Sequence, residues 1–502
     1  MGRTVDADVC IVGAGIAGLF AACRLPDGVR TVVLDKGTLG EGSSPLAQGG
    51  MAAAVGRDDS PERHLSDTVA AGAGLVDERA AEAMCREAPD RVRELEALGC
   101  EFDRNADGSL HLAREGGQSV ARSVHRADAS GGEIVRALRT AAAPRVERVE
   151  AYAVRLAVVE DACVGVWALD REGETALVRA AATVLASGGA GALFAATTNP
   201  PAATGDGLAL AREAGARLAD LEFVQFHPTA LAVAESPRPL LTEALRGAGA
   251  TLVDGSGRRF MVGRHPDAEL APRHMVTAAI LDVGEAFLDA RGIDRDELER
   301  DFPTVVASCR ARGYDPATEL LPVAPAAHYL IGGVATDLDG RTSLPGLLAA
   351  GESAATGVHG ANRMAGNSLA EAVVFGRRAA LAAAEVAPGP AGRGDPEWDS
   401  LPAGADGPTG PTRSDVVQAV TSGAGPIRDA SSAAHALGEL DRLADAVPPS
   451  GGRSGFELAA MVHTGRLLIR AALARRETRG VHVRSDHPYR DVSLDGVHLT
   501  ID

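Results

Sequence analysis

ADVCIVGAGIAGLFAACRLPDGVRTVVLD, residues 7–35, decides the fold. Residues 7–12 (ADVCIV) read as a buried strand, and Gly13-Ala14-Gly15-Ile16-Ala17-Gly18 follows at once. An apolar helix is predicted to about Leu25, and RTVVL at 30–34 predicts a second strand ending at Asp35. Strand, glycine turn, helix and strand make a βαβ unit. Its glycines allow a tight turn and close approach to a pyrophosphate, beside the free N–H groups of a helix start. An acid about twenty residues further on accepts a hydrogen bond from a ribose 2′-hydroxyl, which suits FAD or NAD better than NADP. The six residues 13–18, with Asp35 and its neighbour Lys36, are the candidate nucleotide contacts.

A second stretch, Gly351–Gly376 (GESAATGVHGANRMAGNSLAEAVVFG), begins with a glycine turn and the acid Glu352 and ends in an apolar helical pattern. Asn367, Ser368 and Leu369 sit where loop becomes helix, so unpaired N–H groups and the positive dipole end can face an electron-rich ring edge. Arg363, four residues before Asn367, offers a fork that matches a carboxylate. A site with those two ends suits a flavin enzyme of small dicarboxylic acids.

Between the two stretches lie further loops with the character of ligand linings. Ser43-Ser44-Pro45-Leu46-Ala47-Gln48-Gly49-Gly50 is polar and turn-rich, and residues 112–131 interleave glycines with charges, Glu115 among them. A strand running into Ser187-Gly188-Gly189 brings backbone close to a ligand, and Asp206 opens a helix over 208–215. From about Glu222 the elements shorten, passing His227, Thr242-Glu243, Arg273 and His328, which predicts an inserted α+β unit. The expected organisation is a Rossmann-like α/β FAD-binding domain in two parts (1–221 and 331–386) around an inserted α+β capping domain (222–330). A Pro/Gly linker (387–413) and a C-terminal helical domain (414–502) follow. The substrate pocket is expected where the domains meet.

Composition narrows the classes. A net charge of −18 argues against nucleic acid and anionic membranes and requires a local basic pocket for any anionic substrate. The six cysteines are dispersed without a C-x-x-C pair, which argues against a disulfide framework, zinc and iron–sulfur clusters. No signal peptide and no membrane-length apolar run is read, so a cytoplasmic protein is expected.

Taken in order, residues 8–50, 112–131, 182–229, 241–249 and 351–376 resemble the flavoprotein family of succinate dehydrogenase, fumarate reductase and L-aspartate oxidase, and are most similar to its aspartate-oxidising branch. The resemblance implies FAD held over Ser43–Gly50, Asp206, Glu352, Ser368 and Leu369. Where the respiratory members carry a flavin-linking histidine this chain has Ser44-Pro45-Leu46, so the flavin is expected to be non-covalent. The resemblance also implies oxidation of L-aspartate to iminosuccinate, with O2 or fumarate as acceptor and quinolinate synthase as the consumer of the product. Arg363, Arg273, His227, His328 and Thr242 would bind the substrate, and Glu115 would select its ammonium group. Arg273 would handle the proton with Glu243 as relay, although a guanidinium's high pKa suits an anchor better than a base. Rival readings are a fumarate reductase or succinate dehydrogenase flavoprotein, and a flavin-binding protein without turnover.

Overall fold

The computed structural model describes residues 3–37, 42–386, 410–447 and 452–501. Its central strand is Arg3–Val12, whose inner half is buried because Val9 and Ile11 face one apolar layer while Cys10 and Val12 face the other. Parallel strands flank it, Thr31–Asp35 on one side and Thr175–Leu185 on the other. Glu147–Glu150 extends the sheet beyond Thr31–Asp35, and an antiparallel hairpin, Tyr152–Val159 with Ala162–Leu169, extends the other edge. Leu347–Ala349, more than 160 residues further along, pairs in parallel with Thr183–Leu185 of the same sheet.

The turn after the first strand needs glycine. Gly13 has φ +109°, and a Cβ there would lie 2.2 Å from the Ala186 carbonyl oxygen. The helix Ile16–Arg24 that follows crosses the long helix Asn367–Val386, where a Cβ on Gly376 would lie 2.8 Å from Ala17 O. This close crossing brings two helix N-termini to one end of the sheet.

A second, antiparallel sheet runs Val224–Leu231, Leu321–Leu330, Ala286–Asp289, Thr251–Asp254. It packs on its own apolar cluster, which includes Leu231, Leu252, Phe260, Val276, Ile280 and Val305. A small sheet of Leu218–Ala219, Gly333–Ala335 and Ala354–Ala355 stands beside the junctions of the two larger units.

The C-terminal region is helical only in part. Helices Arg413–Ala424, Ala430–Ala446 and Gly452–Ala474 form a bundle, but the chain then runs back in extended form and adds Thr500–Ile501 to the small sheet. Buried arginines replace helical periodicity there: Arg475 and Arg479 share Glu477, and Arg475 also pairs with Glu222. Most of the expected linker, 387–409, lies outside the described residues. No helix among the described residues is long and apolar enough to cross a membrane, and none of their side-chain groups could hold a metal ion. All six cysteines are buried and free of disulfides.

Candidate active site

One cavity of about 530 Å³ runs from the first glycine turn, past the start of the helix Asn367–Val386, to the second sheet. At one end it is lined by Gly13–Ala17, Asp35, Lys36 and the run Ser43–Gly50. The helix Ile16–Arg24 has no side chain capping it from Gly15, and Ile16 N instead donates to Ser44 Oγ at 3.1 Å. Ser44–Leu46 is a single tight turn, and Ser43 donates to Asn199 Oδ1 at 3.3 Å. Asp35 ends its strand beside the cavity, within 3.7 Å of Arg148. Lys36 and Asp206 are bound to each other as well as lining the cavity. Lys36 also reaches Glu457 at 3.2 Å, and Asp206 accepts from Tyr152 and Thr204.

The middle of the cavity is lined by Glu352, Ser368 and Leu369. Glu352 accepts from Leu330 N at 2.9 Å, and burial pushes its carboxyl up to about 7 despite that bond and the nearby Arg363. Gln48, which also lines the cavity, has a buried side-chain oxygen with no partner. A helix start whose first amide alone meets a side chain, Ser44, an orphaned amide oxygen on Gln48 and glycine-lined walls make a cradle that fits a dinucleotide flavin.

At the far end, side chains take over. Arg273 opens the helix Arg273–Val283 and donates through Nε to Glu243 at 2.8 Å and through Nη1 to Gln225 Oε1 at 3.0 Å. Arg363 donates through Nε to the same Gln225 oxygen at 3.2 Å and through Nη1 to Ser368 Oγ at 2.9 Å, and it lies 4.7 Å above the Tyr329 ring. Burial and the neighbouring Arg273 bring the Arg363 guanidinium down to about 10. Two cations on one carboxamide, both buried, leave positive charge that a dianion can satisfy.

His227 and His328 meet edge to face with ring centres 5.1 Å apart. Burial, reinforced by Arg273 and Arg363, holds both rings well below their ordinary pKa, so both are neutral near pH 7. His227 Nδ1 accepts from Thr229 N at 3.3 Å, and His328 Nδ1 is bound to Thr198 Oγ1 at 2.8 Å. Thr242 caps the short helix Glu243–Gly247 and lines the cavity. Glu115 is buried, accepts from Gly50 N at 3.1 Å, and has its pKa raised by desolvation and by Glu243.

The cavity therefore gathers every expected site residue except two. Gly18 is packed against the first strand, where a Cβ would lie 2.1 Å from Gly13 O, and it does not line the cavity. Glu243 stands behind Arg273; the surrounding arginines outweigh its burial and hold its carboxyl below the usual range. Two residues escaped the sequence reading. Gln225 ties Arg273 to Arg363, and its Nε2 also donates to Asn362 Oδ1 and Arg363 O. Gln118 holds the Glu115 loop by accepting from Glu115 N at 3.0 Å and donating to Ser123 and Ala365. The available signal was a polar residue in a strand buried at every position, Val224–Leu231, which demands partners.

Comparison with known proteins agrees with this geometry. The family described as FAD binding domain matches residues 8–369, and that described as Fumarate reductase flavoprotein C-term matches residues 453–493. The L-aspartate oxidase of Streptomyces coelicolor is 46% identical, with 100% of this chain and 92% of the relative covered. The chain belongs to the L-aspartate oxidase family of FAD-binding flavoproteins. The family member from Caulobacter vibrioides is also 46% identical, over 97% of this chain and 96% of its own length. Among solved structures, a quinol–fumarate reductase with menaquinol molecules superposes with a TM-score of 0.88 at 30% identity, covering 98% of this chain and 94% of that one.

Proposed function

We propose that the chain is an FAD-dependent oxidase that converts L-aspartate to iminosuccinate, using O2 or fumarate as acceptor. The observation that carries this reading is the pair of guanidiniums, Arg273 and Arg363, bound to one Gln225 oxygen in the cavity that buried Glu115 also lines. Arg273 and Arg363 each take one carboxylate, and neutral His227 and His328 donate hydrogen bonds to the same dicarboxylate. Glu115 attracts the ammonium and disfavours succinate, which lacks one. Oxidation removes a proton from nitrogen and a hydride from the α-carbon, leaving a C=N bond. When bound, the flavin supplies the acceptor for that hydride. Gly13–Ala17, Asp35, Ser43–Gly50, Glu352, Ser368 and Leu369 would hold it, without a covalent bond. Arg273 anchors, and Glu243 behind it keeps the guanidinium oriented and charged. The unstable imine passes to quinolinate synthase in the cytoplasm, as the first step of de novo NAD synthesis.

Aerobic incubation with L-aspartate tests the reading. Hydrogen peroxide and, after imine hydrolysis, oxaloacetate and ammonia are expected in equal amounts. Peroxide from succinate but none from L-aspartate would move the chain to the dehydrogenase reading. Acid precipitation is expected to leave the yellow colour in the supernatant, whereas a yellow pellet would contradict non-covalent binding.

A further inference from the structure

The cavity does not end at the substrate groups. It continues to solvent between the Ser43–Ala47 loop and the second sheet's flanks, where Thr304 and Leu46 are exposed. The charged side chains at this opening are few. Asp128 is taken up as a cap, accepting from Thr304 N at 3.0 Å and Val305 N at 2.8 Å. Arg312 is held by Ser308 and paired with Glu235. Arg238, between Pro237 and Pro239, is half-buried, and its guanidinium makes no hydrogen bond or ion pair among the described residues. Only its backbone N–H is engaged, by Thr197 O at 2.8 Å.

A partly desolvated cation among prolines without a carboxylate is unfavourable unless an anion visits it, and burial alone lowers its pKa. The protein's net charge of −18 repels the dianions its chemistry handles, so positive charge at the access route matters for capture. We propose that Arg238 is a docking point for dicarboxylate anions at the mouth of the cavity, met before Arg273 and Arg363 on the way in and after them on the way out. The proposal rests on the dicarboxylate reading of the inner site.

Anaerobic stopped-flow mixing of the flavin-loaded protein at low ionic strength tests it. Two signals are followed: succinate association, through perturbation of the flavin spectrum, and flavin bleaching by L-aspartate. Arg238→Gln is expected to lower both second-order constants about 3–10-fold, Arg238→Glu more, with saturating bleaching rates within about twofold of the parent. The deficit should shrink at high salt, and Arg238→Lys should restore the parent behaviour. Arg258→Gln on the exposed cap surface, where Arg258 pairs with Asp254, controls for net charge. Constants for Arg238→Gln equal to those of Arg258→Gln, or an equal fall in the saturating rate, would overturn the proposal. If L-aspartate left the parent flavin unbleached, the functional reading would fall, while succinate association would still decide the role of Arg238.

Discussion

The two ends of the cavity are built differently. The end proposed for the flavin is built largely of main chain: a glycine turn at 13–15, the run Ser43–Gly50 and two helix starts. The substrate end is made of side chains drawn from Glu115, the strands Val224–Leu231 and Leu321–Leu330, the helix Arg273–Val283 and the loop before Asn367. Backbone recognition tolerates few residue types but needs only neighbours in sequence. Side-chain recognition needs distant segments to converge, and each group must be held by another.

Substitutions at the two ends should therefore fail in different ways. The largest effect is expected at Gly13→Ala, where φ is +109° and the new Cβ meets Ala186 O at 2.2 Å. The protein should purify colourless, and a full flavin complement would break the contrast. At the other end, Arg363→Leu should keep its flavin yet lose about 10³-fold in kcat/KM for L-aspartate, from charge-assisted bonds of about 1.5–3 kcal/mol each. Full turnover by that variant would instead support a flavin protein whose arginines are structural.

Gln225→Leu removes no proposed substrate contact but frees both guanidiniums. A loss of about 10–100-fold, expressed mainly in KM, is expected from two hydrogen bonds of about 0.7–1.4 kcal/mol each. Glu115→Gln should cost L-aspartate oxidation about tenfold or more while fumarate reduction continues, because the ammonium partner alone is lost. An equal loss of both activities would remove the selective role of Glu115.

The smallest effects are in pH. Arg363, brought down to about 10, loses its charge there, so succinate affinity should fall as pH rises through about 10. Succinate has no ammonium to confuse that titration. Glu115 has a raised pKa, so on acidification it protonates before an ordinary glutamate does. The preference for L-aspartate over succinate should therefore shrink as pH falls, starting above the usual carboxylate range. A preference that grew on acidification would reverse the sign assigned to Glu115.

The same contrast explains what the sequence made legible. The strand, turn and helix around Gly13 carry their instructions locally: the helix end and the second strand fall within one residue of the expected bounds, and the first strand ends at Val12 as expected but begins at Arg3, four residues earlier. Asn367 begins its helix as the loop-to-helix reading expects. Gly18 is indistinguishable in sequence from a ligand contact, because helix–strand packing and ligand approach both select glycine. Glu243, expected beside the pocket as a relay to Arg273, stands behind that arginine, because a helix start turns Thr242 and Glu243 in different directions. Gln225 and Gln118 were missed because a glutamine's importance lies in partners far along the chain. The non-helical run after Ala474 likewise depends on a salt-bridge network reaching back to Glu222.

The central claim, that two arginines and an acid serve one aminated dicarboxylate against a flavin, is tested most directly by anaerobic mixing. The purified yellow protein is mixed in turn with L-aspartate, D-aspartate and succinate while the flavin absorbance is followed. Bleaching by L-aspartate alone is the predicted result. Faster bleaching by succinate, or indifference to the configuration of aspartate, would contradict it.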